Sequence, residues 1–134
     1  MLIDANLNDV KDIEALPSGT YSCVVLKEPK LIESREKKTP GIEFELTFTD
    51  PGTEIAPGVS RTMRHTVWKS ERLGWQHPGM KEVCEACGVS MNNPDTAEFV
   101  NTTLNVSIET DSYVDKRSGE HKLRNKVAYL LKKS

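Results

Sequence analysis

Aromatic residues make up only 6% of this 134-residue chain, and its three cysteines, Cys23, Cys84 and Cys87, are an odd number. An odd, small count argues against a disulfide framework and fits a reducing interior. No apolar run approaches the roughly 20 residues that a spanning helix needs. Met1–Asn6 has no basic start and no sustained apolar stretch, so no secretory signal is read there. Internal repeats are missing too. So are a Gly-x-Ser-x-Gly elbow, a glycine-rich phosphate loop and a His-Glu-x-x-His pair. The expectation is a soluble, non-catalytic protein with no cofactor.

Two features look like chemistry and read more simply as structure. Cys84-Glu-Ala-Cys87 has the spacing of a zinc knuckle, with His65 and His77 nearby in sequence, but a structural zinc needs four ligands and no second pair exists. On a helix these cysteines share a face with Met80 and Val83, as small buried hydrophobes would. They also lie at the helix end, where the dipole does not favour a thiolate. Glu43 and Glu45 share a strand face, and a solvated face explains them without a catalytic pair.

What is present is alternation. In Gly41–Thr49, Ile42, Phe44, Leu46 and Phe48 alternate with Glu43, Glu45, Thr47 and Thr49, which predicts a strand with one buried and one wet face. Thr20–Glu28 follows the turn signal Leu16-Pro-Ser-Gly19 and reads as a first strand with two apolar faces, bending between layers. Pro29–Pro40 reads as strand ends plus a loop. Val59–Lys69 is the third strand, with a bulge or partial exposure because neither face is purely apolar.

Met80, Val83, Cys84 and Cys87 then switch to helical spacing, closed by Gly88. A short turn capped by Asp95 carries Phe99 and Val100 inward. Thr103–Glu109 returns to alternation, Asp111–Glu120 reads as a hairpin loop, and Lys122–Leu131 closes the chain. In that last strand Leu123, Val127 and Tyr129 are expected on one side and Lys122, Arg124 and Lys126 on the other.

The length suits one domain, residues 16–134, preceded by an acidic arm over 1–15 that is loose or a short frayed helix. Five short strands with a helix between strands 3 and 4 is the layout of a mainly β, five-stranded OB-fold-like barrel. An α+β sandwich with the same order is the alternative.

In an OB-fold, ligand lies across strands 2 and 3 between the loops joining strands 1–2 and 4–5. Those loops are basic here. The first offers Lys30, Arg35, Lys37 and Lys38, and the second offers Tyr113, Lys116 and Arg117, continuing into Lys122, Arg124 and Lys126. The third strand adds Arg61, Arg64 and Trp68, with Arg72 and Trp75 beyond. Net charge is −2, but residues 111–134 carry a local balance of +4 against −3 for residues 1–16. Cations track phosphates and flat rings stack on unpaired bases. Single-stranded nucleic acid is therefore the expected partner. The alternative is a non-catalytic protein-interaction module, which the negative net charge and few aromatics favour.

Leu16-Pro-Ser-Gly-Thr-Tyr21, the Gly41–Phe48 strand, Val67-Trp68, Cys84-Glu-Ala-Cys-Gly-Val89 and Asn125-Lys-Val-Ala-Tyr129 occur in that order. This ordered set resembles phage- and prophage-encoded single-stranded-DNA-binding proteins over residues 16–131. The resemblance implies an OB-type fold, sequence-tolerant binding of single-stranded DNA, and action in the bacterial host cytoplasm beside replication or recombination proteins. It also implies no catalysis, and contacts at Trp68 and the cations around it. Small binders of this kind commonly form homo-oligomers, though no stretch locates an interface. The chain ends Leu131-Lys-Lys-Ser134, not in the acidic tail many such proteins carry, so recruitment would fall to the acidic segment 1–16.

Overall fold

The computed structural model describes residues 1–9 and 14–132. Its elements are β1 (Gly19–Val24), β2 (Lys30–Glu33), β3 (Pro40–Phe48), β4 (Thr62–Trp68), α1 (Pro78–Cys87), β5 (Thr103–Val114) and β6 (His121–Leu130). Short 3-10 turns cover Leu7–Asp9 and Thr96–Phe99. Residues 10–13 of the acidic arm, with Val10 and Ile13, lie outside the described residues, as do Lys133 and Ser134.

The strict alternation of β3 makes it the hub. Phe44 and Leu46 are fully buried and Phe48 nearly so, while Glu43 and Glu45, on the other face, are partly covered. All of β4 runs antiparallel along one edge of β3, from Gly41↔Trp68 to Thr47↔Thr62, with no bulge. Partial exposure, not a bulge, accounts for its mixed faces. The other edge of β3 is shared: β2 pairs at Pro40–Glu43, and β1 pairs only at Cys23↔Phe48 and Val24↔Thr47.

The chain peels away between those two contacts for a local reason. Val25 donates to Thr102 O at 2.9 Å and accepts from Asn101 N at 2.6 Å, so its backbone groups turn to the segment before β5. Pro29 has no N–H to give a ladder. The expected first strand, Thr20–Glu28, thus stops at Val24, and a further strand, β2, forms within Pro29–Pro40, read as strand ends plus a loop; the count is six.

β1 continues the sheet to β5, and β5 to β6, giving the order β2-β3-β1-β5-β6 with β4 on β3. All pairings are antiparallel. The expected barrel does not close: among the described residues no ladder joins β4 to β6. Helix α1 packs against β4, β5 and β6. It starts at His77, whose Nδ1 accepts from Gly79 N at 3.1 Å, and stops at Gly88 in the left-handed region, φ 73°. Val83, Cys84, Ala86 and Cys87 enter the same core as Phe44, Leu104, Val106 and Ile108.

Cys23 shows how dry that core is, since burial pushes its thiol up to about 12. Phe99 meets Phe44 edge-on, centroids 5.0 Å apart. Its turn is fixed by a reciprocal cap, Ala97 N donating to Asp95 Oδ1 and Asp95 N to Glu98 Oε2.

Two boundaries differ from the sequence reading. β5 runs on to Val114, so the hairpin loop is Asp115–Glu120 and not Asp111–Glu120. In β6, Tyr129 opposes Ser107 while Val127 opposes Ile108, which leaves Ala128 as an extra residue. That bulge reverses the parity: Tyr129 joins the face of Lys122, Arg124 and Lys126, opposite to the face of Leu123 and Val127.

Candidate functional site

The outer face of β3–β4 follows from the register. Gly41 opposes Trp68, Glu43 opposes Thr66, and Glu45 opposes Arg64. On the β2 side, Ile32 opposes Gly41 and Lys30 opposes Glu43. Trp68 leans across β3 onto Gly41. A Cβ at Gly41 would sit 2.6 Å from Trp68 Cε3 and 2.8 Å from Cζ3, so the indole rests where only glycine leaves room. Trp68 is nevertheless 43% exposed. The result is a flat ring seated on backbone, open to solvent.

The turn between β2 and β3 borders this ring. Ser34 N donates to Thr39 O and Thr39 N to Ser34 Oγ, both at 2.9 Å, and Lys38 takes a positive φ of 55° to complete it. Ser34, Arg35, Glu36, Lys37 and Thr39 line one open hollow with Trp68. Arg35, Lys37 and Lys38 are exposed and make no ion pair among the described residues. Two of the cations expected near the indole, Arg35 and Lys37, thus share its hollow, and Lys38 lies in the same turn.

Arg64 lies on this outer face, its Nε 3.8 Å from Glu43 Oε1, which also faces Lys30 Nζ at 3.6 Å. Arg61 is committed elsewhere. Its Nε donates to Thr53 O at 3.1 Å and its Nη2 to Glu14 O at 2.9 Å, tying the β3–β4 loop to the start of the domain. Arg72 is exposed in the turn Ser70–Gly74, and Lys69 Nζ lies 6.0 Å from the ring centre of Trp75.

The second cation group sits on the β5–β6 hairpin, outside the Trp68 hollow. Here each strand cation has an acid. Lys122 meets Asp115 at 3.0 Å, Arg124 meets Asp111 at 2.9 Å, and Lys126 meets Asp111 at 3.6 Å and Glu109 at 3.7 Å. Arg124 also lies 5.3 Å from the ring centre of Tyr113, covering one of its faces. The hydrogen bond from Arg124 lowers the Asp111 pKa. The backbone N–H of Arg117, then Lys122, lower that of Asp115. Lys116 and Arg117 sit exposed in the loop without ion pairs among the described residues.

Sequence reasoning named Trp68 as a candidate and did not foresee its seat. The signal was a glycine opening an otherwise alternating strand, which marks a close approach. A second depression lies beside α1, a cleft of about 1420 Å³ lined in part by Leu73, Trp75, Met80 and Met91. No family model and no curated protein matches the chain.

Proposed function

We propose that this chain is a non-catalytic, sequence-tolerant single-stranded-DNA-binding protein of OB type, serving phage DNA replication or recombination. The observation that carries the reading is the Trp68 indole, packed against Gly41, exposed, and sharing its hollow with Arg35 and Lys37. A base stacks on the ring while the cations meet the adjacent phosphates.

The pairing order supports the OB reading. With β1 and β2 taken as one broken strand, the first strand pairs both the second and the fourth, and the helix falls between the third and fourth. Helix α1 stands across the gap that a closed barrel would seal. Resemblance to prophage single-stranded-DNA-binding proteins supports the phage setting.

Titrating a Trp75→Phe variant with oligo-dT at two salt concentrations tests the reading, because Trp68 is then the only indole. Quenching that weakens with salt is expected; no quenching and no mobility shift would sink it. The cleft beside α1 favours a second reading, an interaction module for a replication protein, because Leu73 and Met91 are more than half exposed there. Replacing Arg35, Lys37 and Lys38 by Glu separates the two: DNA affinity collapses in the first and partner binding survives in the second.

A further inference from the structure

The outer face of β3–β4 carries an oddity for a surface that meets a polyanion. Glu43 stands on the next outward rung from the indole and Glu45 on the one beyond it. These carboxylates balance Lys30 and Arg64 on the same face, so this part of it offers a phosphate no net attraction. Beyond the other end of Gly41, the Ser34–Thr39 turn brings Arg35 and Lys37 into the ring's hollow, with no ion pair among the described residues. Charge thus divides around Trp68: phosphates are favoured on the turn side, and a base on the ring has its edge toward Glu43.

Resting on the single-stranded-DNA reading, we infer that Glu43 selects the base stacked on Trp68 and that the favoured base is guanine. Glu43 and Trp68 are diagonal neighbours on one face, a separation of about 7–8 Å that long side chains bridge. Lys30 at 3.6 Å and Arg64 at 3.8 Å both pair with Oε1, from beyond hydrogen-bond length, and the Glu43 side chain is only 16% exposed; they fix the carboxylate in place and leave Oε2 outside both ion pairs. A carboxylate offers two acceptor oxygens side by side. Guanine presents two adjacent donors on its Watson–Crick edge, N1–H and the N2 amine. Thymine presents one N–H between two carbonyl oxygens, which the carboxylate repels. Cytosine and adenine each offer an amine beside a ring acceptor, an intermediate case.

The test uses oligo-dT, the same oligomer with one central guanine, and a third with inosine at that place. Each is titrated into the Trp75→Phe protein. The guanine oligomer should bind roughly fivefold tighter or more than oligo-dT, and inosine, lacking the N2 amine, should fall back toward oligo-dT. Glu43→Gln should flatten the guanine-to-thymine ratio, partly by raising thymine affinity. Equal binding of all three oligomers overturns this inference alone, as does a ratio unchanged in Glu43→Gln. Failure of every oligomer to bind overturns it together with the DNA-binding reading. The inosine comparison needs no substitution at Glu43, so it decides the matter even if that variant misfolds.

Discussion

The Ser34–Thr39 turn and the β5–β6 hairpin are both rich in cations, yet they have opposite electrostatic characters. In the turn, Arg35, Lys37 and Lys38 face a single acid, Glu36, and make no ion pair among the described residues. On the hairpin, Lys122, Arg124 and Lys126 are matched by Asp115, Asp111 and Glu109. Counting positive residues therefore overstates the hairpin, because a paired cation must break its own ion pair before meeting a phosphate.

The hairpin also has a structural task that the turn lacks. Asn125 accepts from Leu16 N and donates to Leu16 O, both at 2.8 Å, and Thr110 N donates to Ser18 Oγ at 2.9 Å. It clamps the entry to the domain.

Substitutions, salt and acid press on this contrast. Trp68→Ala removes the stacking surface and should weaken oligo-dT binding by about 1–3 kcal/mol, with little change in thermal stability because the ring is half exposed. Gly41→Ala should follow it in binding, since the indole has to leave its seat. Asn125→Leu should do the reverse: chemical denaturation should show a loss of about 1–2 kcal/mol, while DNA affinity holds.

Next in size is the salt response. Lys37→Gln with Lys38→Gln should reduce the slope of log affinity against log salt by about 0.7 for each phosphate no longer neutralised. Lys122→Gln with Lys126→Gln should change it much less, and equal changes would erase the contrast between turn and hairpin.

The smallest effect is acid titration of the hairpin. Asp111 and Asp115 have folded pKa values lowered below the ordinary range by Arg124, by the Arg117 N–H and by Lys122. Their stabilising contribution is complete above the unfolded pKa of about 3.9 and is lost as pH falls through the lowered folded value. Carboxyl-carbon NMR should find both titrating low in the folded protein. Asp111→Asn should cost a little stability near neutral pH and none in strong acid.

What could be read from the residues, and what could not, follows the range of the forces involved. The period of β3 exposes its buried face directly, and the 3.6 spacing of α1 with Gly88 marks both face and end. The Asp95 cap and the inward Phe99 are equally local. The break between β1 and β2 was hidden because it depends on where Val25 sends its hydrogen bonds, to Asn101 and Thr102. Tyr129 changed sides because Ala128 is an extra residue, which strand alternation does not reveal. Barrel closure likewise depends on whether two edges distant in sequence meet.

For the candidate site, Trp68 and the turn cations were visible as residue types. Arg61 was not separable from them by composition, since only the fold shows its guanidinium spent on carbonyls. Nor could any pattern tell paired hairpin cations from unpaired turn cations.

The sheet is thinnest where β1 meets β3. These strands touch over two rungs, Cys23↔Phe48 and Val24↔Thr47, whereas β3–β4 and β1–β5 each run much longer. Parting those two rungs, with the bonds of Ser22 to Thr49 and Asp50 beside them, would leave both neighbouring ladders intact. The protein is thus two hydrogen-bonded plates welded at a short seam and glued by shared side chains beneath. Amide exchange should report this as two protected sets with a weak line between them, the indole riding on one plate and the hairpin on the other.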